Sequence, residues 1–176
     1  MSAKKSLAVI LRPLDASTDF YRILCIGQTA FDFPFTEDEY QSQLRAWRCQ
    51  AVVAEHDGKI VAWLIGERDR DSFDLWSMAV EPSALRAGVG RQLVDWCKQA
   101  AAEAGCSNIT LKVRERNLSA QLFFAACDFK AVKVLTNFYP QKEDAFVMEW
   151  AVPGVERQPS RSATQIYRYD DDGFID

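Results

Sequence analysis

The stretch from Val80 to Arg91 constrains the fold more than any other part of the chain. It follows the apolar, β-prone segment 73–80, and Pro82 prevents that strand from continuing. Apolar residues then recur at helical spacing over 89–104, and Gly105 supplies a stop signal. The sequence therefore predicts a strand, a short turn and a glycine-rich helix start, in that order.

This junction has the properties of a phosphate site. Gly88 and Gly90 lie in the first helical turn, where backbone N–H groups have no partner within the helix and the helix dipole favours an anion. Arg86 and Arg91 add positive charge at its edge. The spacing lacks the third glycine of a dinucleotide site and the Gly-Lys-Ser/Thr of a P-loop. An ordinary helix start with loose glycines would show the same short pattern.

Three segments, in family order, resemble the GNAT superfamily of N-acetyltransferases. Residues 75–94 resemble its acetyl-coenzyme A site, whose signature is Gln/Arg-x-x-Gly-x-Gly/Ala after an apolar strand. Leu-x-Val-Arg-x-x-Asn-x-x-Ala at 111–120 is a second match. Segments 137–140 and 143–148 resemble the last hairpin of the ribosomal-protein alanine N-acetyltransferases. The resemblance spans roughly residues 7–151.

The resemblance implies an α/β (α+β) chain of GNAT fold, with a mixed, mostly antiparallel central sheet and helices on both faces. Local patterns predict a first strand at 7–11, a helix from about Asp15 to Thr29 and a second helix that begins with a capping box at Thr36. The apolar stripe of this second helix is expected to include Trp47. The sequence His56-Asp57-Gly58 predicts a tight hairpin turn.

Composition limits the class of protein. With 176 residues, 48% of them hydrophobic, we expect one acetyltransferase domain at 1–152 and a polar C-terminal extension at 153–176. The net charge of −4 argues against a nucleic-acid partner. The apolar run 7–11 is too short for a signal peptide or a membrane span, so we expect a cytoplasmic protein with no membrane partner. We expect it to be a monomer or a homodimer. Five scattered cysteines predict reduced thiols and no metal.

The resemblance also implies a set of coenzyme-binding residues. The strand before the turn bends at a bulge in this family, and its backbone binds the pantetheine arm and the acetyl carbonyl. Asn117 is expected to contact the coenzyme arm, although an asparagine there is equally a helix N-cap. The predicted set is Met78, Ala79, Val80, Arg86, Ala87, Gly88, Val89, Gly90, Arg91, Asn117 and Phe124. The side chains of Met78 and Val80 suit a hydrophobic core equally well.

The chain departs from the family pattern at three positions. Leu85 occupies the first signature position, which is Gln or Arg in the family. Lys112 stands where the family's general-base glutamate is expected, and Phe124 stands where its general-acid tyrosine is expected. General acid–base catalysis contributes about 10²–10⁴ in rate, so its loss would slow direct attack of an amine on the thioester without abolishing it.

Substitute proton carriers are available elsewhere in the sequence. Tyr139 is the candidate acid and Glu67 the favoured base, with Glu55 and Glu115 as further candidate bases, although each glutamate also fits a solvated surface position. The aromatic segments before Thr36 and around Tyr139 resemble the acceptor side of the family site. The predicted substrate-binding residues are Phe33, Phe35, Phe138 and Tyr139.

The missing base bears on the choice of acceptor amine. An α-amino group with a pKa of about 7.7–8.0 is partly neutral at physiological pH, whereas lysine with a pKa of about 10.4 is almost wholly charged. A weak-base site therefore favours the N-terminal amine of a protein or peptide, with acetyl-coenzyme A as donor. A small-molecule amine and a coenzyme-binding regulator without turnover remain the alternatives.

Overall fold

A computed structural model describes residues 7–155 as seven strands and four helices. In chain order they are β1 Ile10–Pro13, α1 Phe20–Ala30, α2 Glu37–Arg45, β2 Cys49–His56, β3 Lys59–Asp69, β4 Ser72–Val80, α3 Val89–Glu103, β5 Asn108–Arg114, α4 Leu118–Ala126, β6 Lys130–Tyr139 and β7 Glu143–Ala151. The predicted extension at 153–176 lies almost entirely outside the described residues.

The strands form one sheet in the order β1-β2-β3-β4-β5-β7-β6. Strands β4 and β5 pair in parallel, and the other neighbours pair antiparallel. The parallel pair arises because α3 carries the chain back across the sheet between the two strands. The expected mixed, mostly antiparallel sheet is confirmed.

Helices cover both faces of the sheet, and each face has its own hydrophobic core. One core joins α3 and α4 to the sheet and is centred on residues such as Leu93, Phe124 and Leu111. The other joins α1 and α2 to the opposite face through Ile23, Tyr40 and Trp63. Strand β4 contributes to both layers, since Phe73 and Leu75 belong to the first core and Ala79 to the second.

Two irregularities in β4 open the centre of the sheet. Its parallel pairing with β5 runs from Ser72–Asn108 only as far as Leu75–Leu111. Its pairing with β3 shifts register between Ile65–Ser77 and Gly66–Leu75, which leaves Trp76 as the extra residue of a bulge. Beyond Leu75 and Leu111 the two strands are no longer paired, and we call the space between residues 76–80 and 112–114 the cleft.

Several local predictions hold. Thr36 and Glu39 form a reciprocal capping box at the start of α2, and the Asn117 side chain caps α4 through the Ala120 N–H. Asp57 and Gly58 both have positive φ, as a two-residue hairpin turn requires. Cys25, Cys49, Cys97, Cys106 and Cys127 are free thiols in the structure.

Three element boundaries were predicted wrongly. Leu7 packs against the core but donates its N–H to Ala87 O, so β1 begins only at Ile10, where pairing with β2 starts. Residues 15–19 form a turn in which Asp15 accepts from Ser17, and α1 therefore begins at Phe20. Helix α2 ends at Arg45, which leaves Trp47 85% exposed rather than on the apolar stripe.

Candidate active site

The phosphate turn has the geometry that its sequence predicts. Gly88 has φ +82° and is the N-cap of α3, and Arg86 also lies in the left-handed region with φ +63°. The first intrahelical bond runs from the Gln92 N–H to Gly88 O. The N–H groups of Val89, Gly90 and Arg91 therefore have no helical carbonyl to reach, which leaves three donors for an anion.

Gly90 serves packing as well as backbone access. A Cβ at this position would come within 3.2 Å of Phe123 Cζ and 3.7 Å of Val80 Cγ2. Helix α3 therefore approaches β4 and α4 closely at its first turn. The sequence alone does not reveal this second role, because the neighbours come from two other elements.

The two arginines of the turn differ in their surroundings. Arg86 is exposed at the turn. Arg91, by contrast, donates to Ala126 O at 2.6 Å and lies 3.5 Å from Asp95. Its guanidinium is thus engaged with the end of α4, while its charge still lies at the edge of the turn. Leu85 is 55% exposed, so nothing in the fold requires an apolar residue at that signature position.

The cleft beside the turn is bounded by β4 and β5. The side chains of Met78 and Val80 pack against the core beneath α3, and Ala79 is buried on the opposite face. The backbone of these residues, rather than their side chains, is what this part of β4 has available for a ligand. Phe124 is 7% exposed and packs between Phe123 and Phe129, so the structure places it in the core instead of the cleft.

Arg114 joins two segments at the far end of the cleft. Its guanidinium carbon lies 4.6 Å from the ring centre of Phe33, in the α1–α2 connection, and 4.0 Å from that of Tyr139, at the end of β6. Its Nη1 also donates to Glu143 at 2.8 Å. Cation–π contacts and a charge-assisted hydrogen bond thus hold the α1–α2 connection to the β6–β7 turn.

The aromatic residues predicted for substrate binding separate into two groups. Phe33 is 54% exposed, and Tyr139 places its hydroxyl 3.4 Å from Lys112 O, so both lie at the end of the cleft. Phe138 stacks edge-on against Tyr139. Phe35 instead packs against Phe31 and Tyr40 in the core under α1 and α2, as a hydrophobic plug.

A row of charged side chains crosses the sheet on the face of α1 and α2. Asp74 on β4 accepts from Thr110 Oγ1 at 3.1 Å and from Lys112 Nζ at 3.2 Å. Glu67 on β3 is the direct cross-strand neighbour of Asp74. Burial, and then the nearby charges of Asp69 and Asp74, raise the pKa of Glu67 above its usual range. A carboxylate with a raised pKa is a better proton acceptor at neutral pH.

The other two candidate bases lie elsewhere. Glu55 is paired with Arg12 at 2.9 Å on the β1 side of the sheet, two strands from β4. Glu115 is exposed just after β5, with its N–H bonded to Asp144 O.

Sequence reasoning missed Asp74 and Glu143. Asp74 is the single acidic residue of the otherwise uncharged strand β4, and that lone charge is the signal that would have identified it. Glu143 carries no such signal, because β7 also contains Asp144 and Glu149. Within residues 7–155, no cluster of His, Cys, Asp or Glu side chains is arranged to hold a metal ion. No helix in that range is long and apolar enough to cross a membrane.

Comparison with known proteins agrees with this geometry. The model of the acetyltransferase (GNAT) family matches residues 17–129. The [ribosomal protein bS18]-alanine N-acetyltransferase of Escherichia coli K12 is 28% identical over 135 residues, which cover 75% of this chain and 90% of that protein. The N-alpha-acetyltransferase of Sulfurisphaera tokodaii is 26% identical over 144 residues, covering 74% of this chain and 86% of that protein.

Solved structures show the same fold. The crystal structure of the Escherichia coli ribosomal-protein-S18-alanine N-acetyltransferase superposes with a TM-score of 0.76 at 26% identity, covering 82% of this chain and 94% of that one. Arabidopsis thaliana NAA60 in complex with acetyl-CoA superposes with a TM-score of 0.71 at 16% identity, covering 84% and 100% of the two chains.

Proposed function

The chain belongs to the acetyltransferase (GNAT) family, and from that premise we propose that the amine it acetylates is the N-terminal α-amine of a protein or peptide. The protein is an acyltransferase that takes its acetyl group from acetyl-coenzyme A and gives it to an amine. The finer assignment concerns the acceptor. Relatives named for alanine N-acetylation and N-alpha-acetylation support it.

The observation that carries this proposal is the charge arrangement beside the cleft. Position 112 is a lysine, which is ion-paired with Asp74 and offers no carboxylate as a base. Burial raises the pKa of Glu67, the cross-strand neighbour of Asp74. Such a site removes a proton most easily from an amine that is already partly neutral. An α-amine meets this condition at physiological pH and a lysine side chain does not.

The cleft can carry out the transfer in one displacement. The turn at 85–91 would hold the pyrophosphate through backbone N–H groups, with Arg86 as the exposed cation. Backbone groups of Met78–Val80 would orient the acetyl carbonyl. The amine nitrogen then attacks the carbonyl carbon, the C–S bond breaks, and the coenzyme leaves as a thiolate, which takes up the proton that the attacking nitrogen loses. A thiol with a pKa near 8.5 is a good leaving group as its thiolate and needs little help from an acid.

Two residues are proposed to manage the protons. Glu67 takes the proton that the α-ammonium loses, directly or through water. Tyr139 donates a hydrogen bond at the rim, where its hydroxyl lies beside Lys112 O, and its ring packs on Arg114 next to the incoming peptide. Phe33, exposed on the other side of Arg114, would contact the first side chains of that peptide.

A direct comparison of acceptors tests the proposal. Purified protein and acetyl-coenzyme A are mixed with peptides that have a free N-terminus, with the same peptides N-terminally blocked but carrying a lysine, and with a panel of small amines. Coenzyme A release and mass spectrometry of the products report transfer. We expect acetylated α-amines, and faster lysine acetylation than α-amine acetylation would refute the proposal.

The same assay decides between the two alternatives. Products among the small amines would indicate a small-molecule acetyltransferase. The absence of the usual acid and base, at Phe124 and Lys112, favours a coenzyme-binding regulator as the second candidate. Tight binding of acetyl-coenzyme A, measured by calorimetry, together with no transfer to any amine would establish that role.

A further inference from the structure

Asp74 lies where the cleft begins. It is one residue before the last parallel pair of β4 and β5, Leu75–Leu111, and Lys112 is one residue beyond that pair. Their ion pair at 3.2 Å is therefore a diagonal contact that spans the two strands at the root of the cleft. Thr110, the register partner of Asp74, donates to its other carboxylate oxygen at 3.1 Å.

From this arrangement we propose that Asp74 is a positioning residue of the transfer reaction, which holds the Lys112 ammonium away from the acceptor amine and keeps negative charge next to Glu67. This inference rests on the proposed function, since it assumes an ammonium acceptor at this cleft. It adds a residue whose role no resemblance predicts.

The first part of the role follows from the reach of lysine. Lys112 is on the same face of β5 as Arg114, and the backbone of Lys112 lies under the Tyr139 hydroxyl. Its ammonium is mobile on a four-carbon stem unless a partner holds it. The partly buried pair, with side chains 27% and 25% exposed, keeps that charge at the root of the cleft. A released Lys112 would repel a cationic acceptor.

The second part concerns the charges around Glu67. Its neighbour on β2 is Cys49, and Arg48 lies just before that strand. Asp69 is on β3, the strand of Glu67 itself, and Asp74 is its neighbour on β4. Burial raises the pKa of Glu67 most, followed by Asp69 and Asp74, while Arg48 opposes them. Without the Asp74 charge, Glu67 would hold its proton less strongly and would be a weaker base.

In the reaction, the acceptor ammonium gives one proton to Glu67 or to a water bonded to it. The neutral amine attacks the acetyl carbonyl, the C–S bond breaks, and the coenzyme leaves as a thiolate. The second proton that the attacking nitrogen loses passes to this thiolate or to solvent, and Glu67 later returns its own proton to solvent. Asp74 neither gains nor loses a proton in this sequence. Its charge acts on Lys112 and on Glu67, which makes its removal measurable in two independent ways.

The isosteric variant Asp74→Asn tests both effects. We expect the KM for the peptide amine to rise about ten-fold. We also expect the acid limb of the pH–rate profile to move to lower pH, while the affinity for acetyl-coenzyme A stays unchanged. Asp74→Glu retains the charge and should keep the wild-type limb. Unchanged KM and an unchanged acid limb in Asp74→Asn would overturn the inference.

Two further variants make the interpretation specific. Adding Lys112→Gln to Asp74→Asn removes the released cation, so the double variant should recover most of the lost KM. Failure to recover it would show that Lys112 is not the repelling group. Asp128→Asn is the matched control, because Asp128 also pairs with a lysine, Lys98 at 3.4 Å, but on the opposite side of the sheet. It should behave as the wild-type protein.

A readout that needs no turnover separates this inference from the proposed function. NMR titration of the Glu67 carboxyl carbon should show a lower pKa in Asp74→Asn than in the wild-type protein. If the wild-type protein acetylates no amine, the proposed function fails and this titration alone decides: an unshifted curve overturns the inference. Thermal melting confirms that each variant is folded.

Discussion

The contact between Gly27 and Tyr40 offers the sharpest test of how the acceptor side is built. Gly27 is in α1 and Tyr40 in α2, and the connection between these helices carries Phe33. A Cβ at Gly27 would overlap Tyr40 Oη and come within 3.2 Å of Tyr40 Cζ. Among the buried side-chain N and O atoms of residues 7–155, Tyr40 Oη is also the one without a hydrogen-bond partner.

Two single changes therefore have opposite expected signs. Tyr40→Phe removes a buried, unpaired hydroxyl, whose burial costs about 1–3 kcal/mol, and we expect it to stabilise the fold by about 1 kcal/mol. Gly27→Ala gains about 1 kcal/mol of helix propensity but overpacks the contact by about 1–3 kcal/mol. We expect it to destabilise the wild-type protein by about 1 kcal/mol.

The double variant shows whether the two residues are coupled. Once the hydroxyl is absent, the added methyl group meets the Tyr40 ring carbon at 3.2 Å, a tight contact that a small shift relieves, and Trp63 Cζ2 at 3.5 Å, which is ordinary van der Waals contact. Gly27→Ala should then be neutral or slightly stabilising in the Tyr40→Phe background. The expected coupling energy is about 1–2 kcal/mol, in the range for residues in direct contact.

Urea unfolding followed by fluorescence, with four proteins in one cycle, measures these energies, and thermal melting provides a second estimate. A change of 1 kcal/mol corresponds to about 2–4 °C in Tm for a chain of this size. Acetylation of a peptide by Tyr40→Phe should match the wild-type rate, because the hydroxyl is not in the cleft. A coupling energy near zero, or marked destabilisation by Tyr40→Phe, would refute the reasoning.

Three further predictions concern the coenzyme, the acid and the response to pH. Gly88→Asp should weaken acetyl-coenzyme A binding about ten-fold or more, and Leu85→Arg should strengthen it about five-fold, because the two changes place opposite charges beside the phosphates. Calorimetry measures both affinities, and values equal to that of the wild-type protein would exclude this turn as the coenzyme site. Tyr139→Phe should lower kcat several-fold and leave coenzyme affinity unchanged, because the thiolate leaves with little help from an acid; full activity would remove Tyr139 as a hydrogen-bond donor in the reaction. Hydrogen bonds from Arg12 lower the pKa of Asp19 in the folded protein. The pair therefore stabilises the fold fully above the pKa that Asp19 has in the unfolded chain, and this stabilisation is lost as the pH falls through the lower pKa of Asp19 in the folded protein. Urea midpoints compared at about pH 5 and pH 3 should fall less in Arg12→Gln than in the wild-type protein, and an equal fall would contradict this linkage.

Features that depend on neighbouring residues could be predicted from the amino-acid sequence. The helix start at Gly88, the capping box at Thr36, the Asn117 cap and the turn at Asp57-Gly58 each rest on contacts within about four positions. Backbone dihedral preferences and orphan N–H groups act at that range, so local patterns are sufficient. The order of these elements then indicated the fold and the position of the phosphate turn.

The contacts around the cleft, by contrast, depend on how distant segments pack together. Asp74 meets Lys112 across 38 positions, and Arg114 lies between the rings of Phe33 and Tyr139, which are far apart in the sequence. Such contacts depend on strand register and on how far β4 and β5 remain paired. One residue of register moves a side chain to the other face, so a sequence pattern cannot specify them. For the same reason, the position of Phe124 in the core and the contact of Arg91 with the end of α4 depend on how the helices pack.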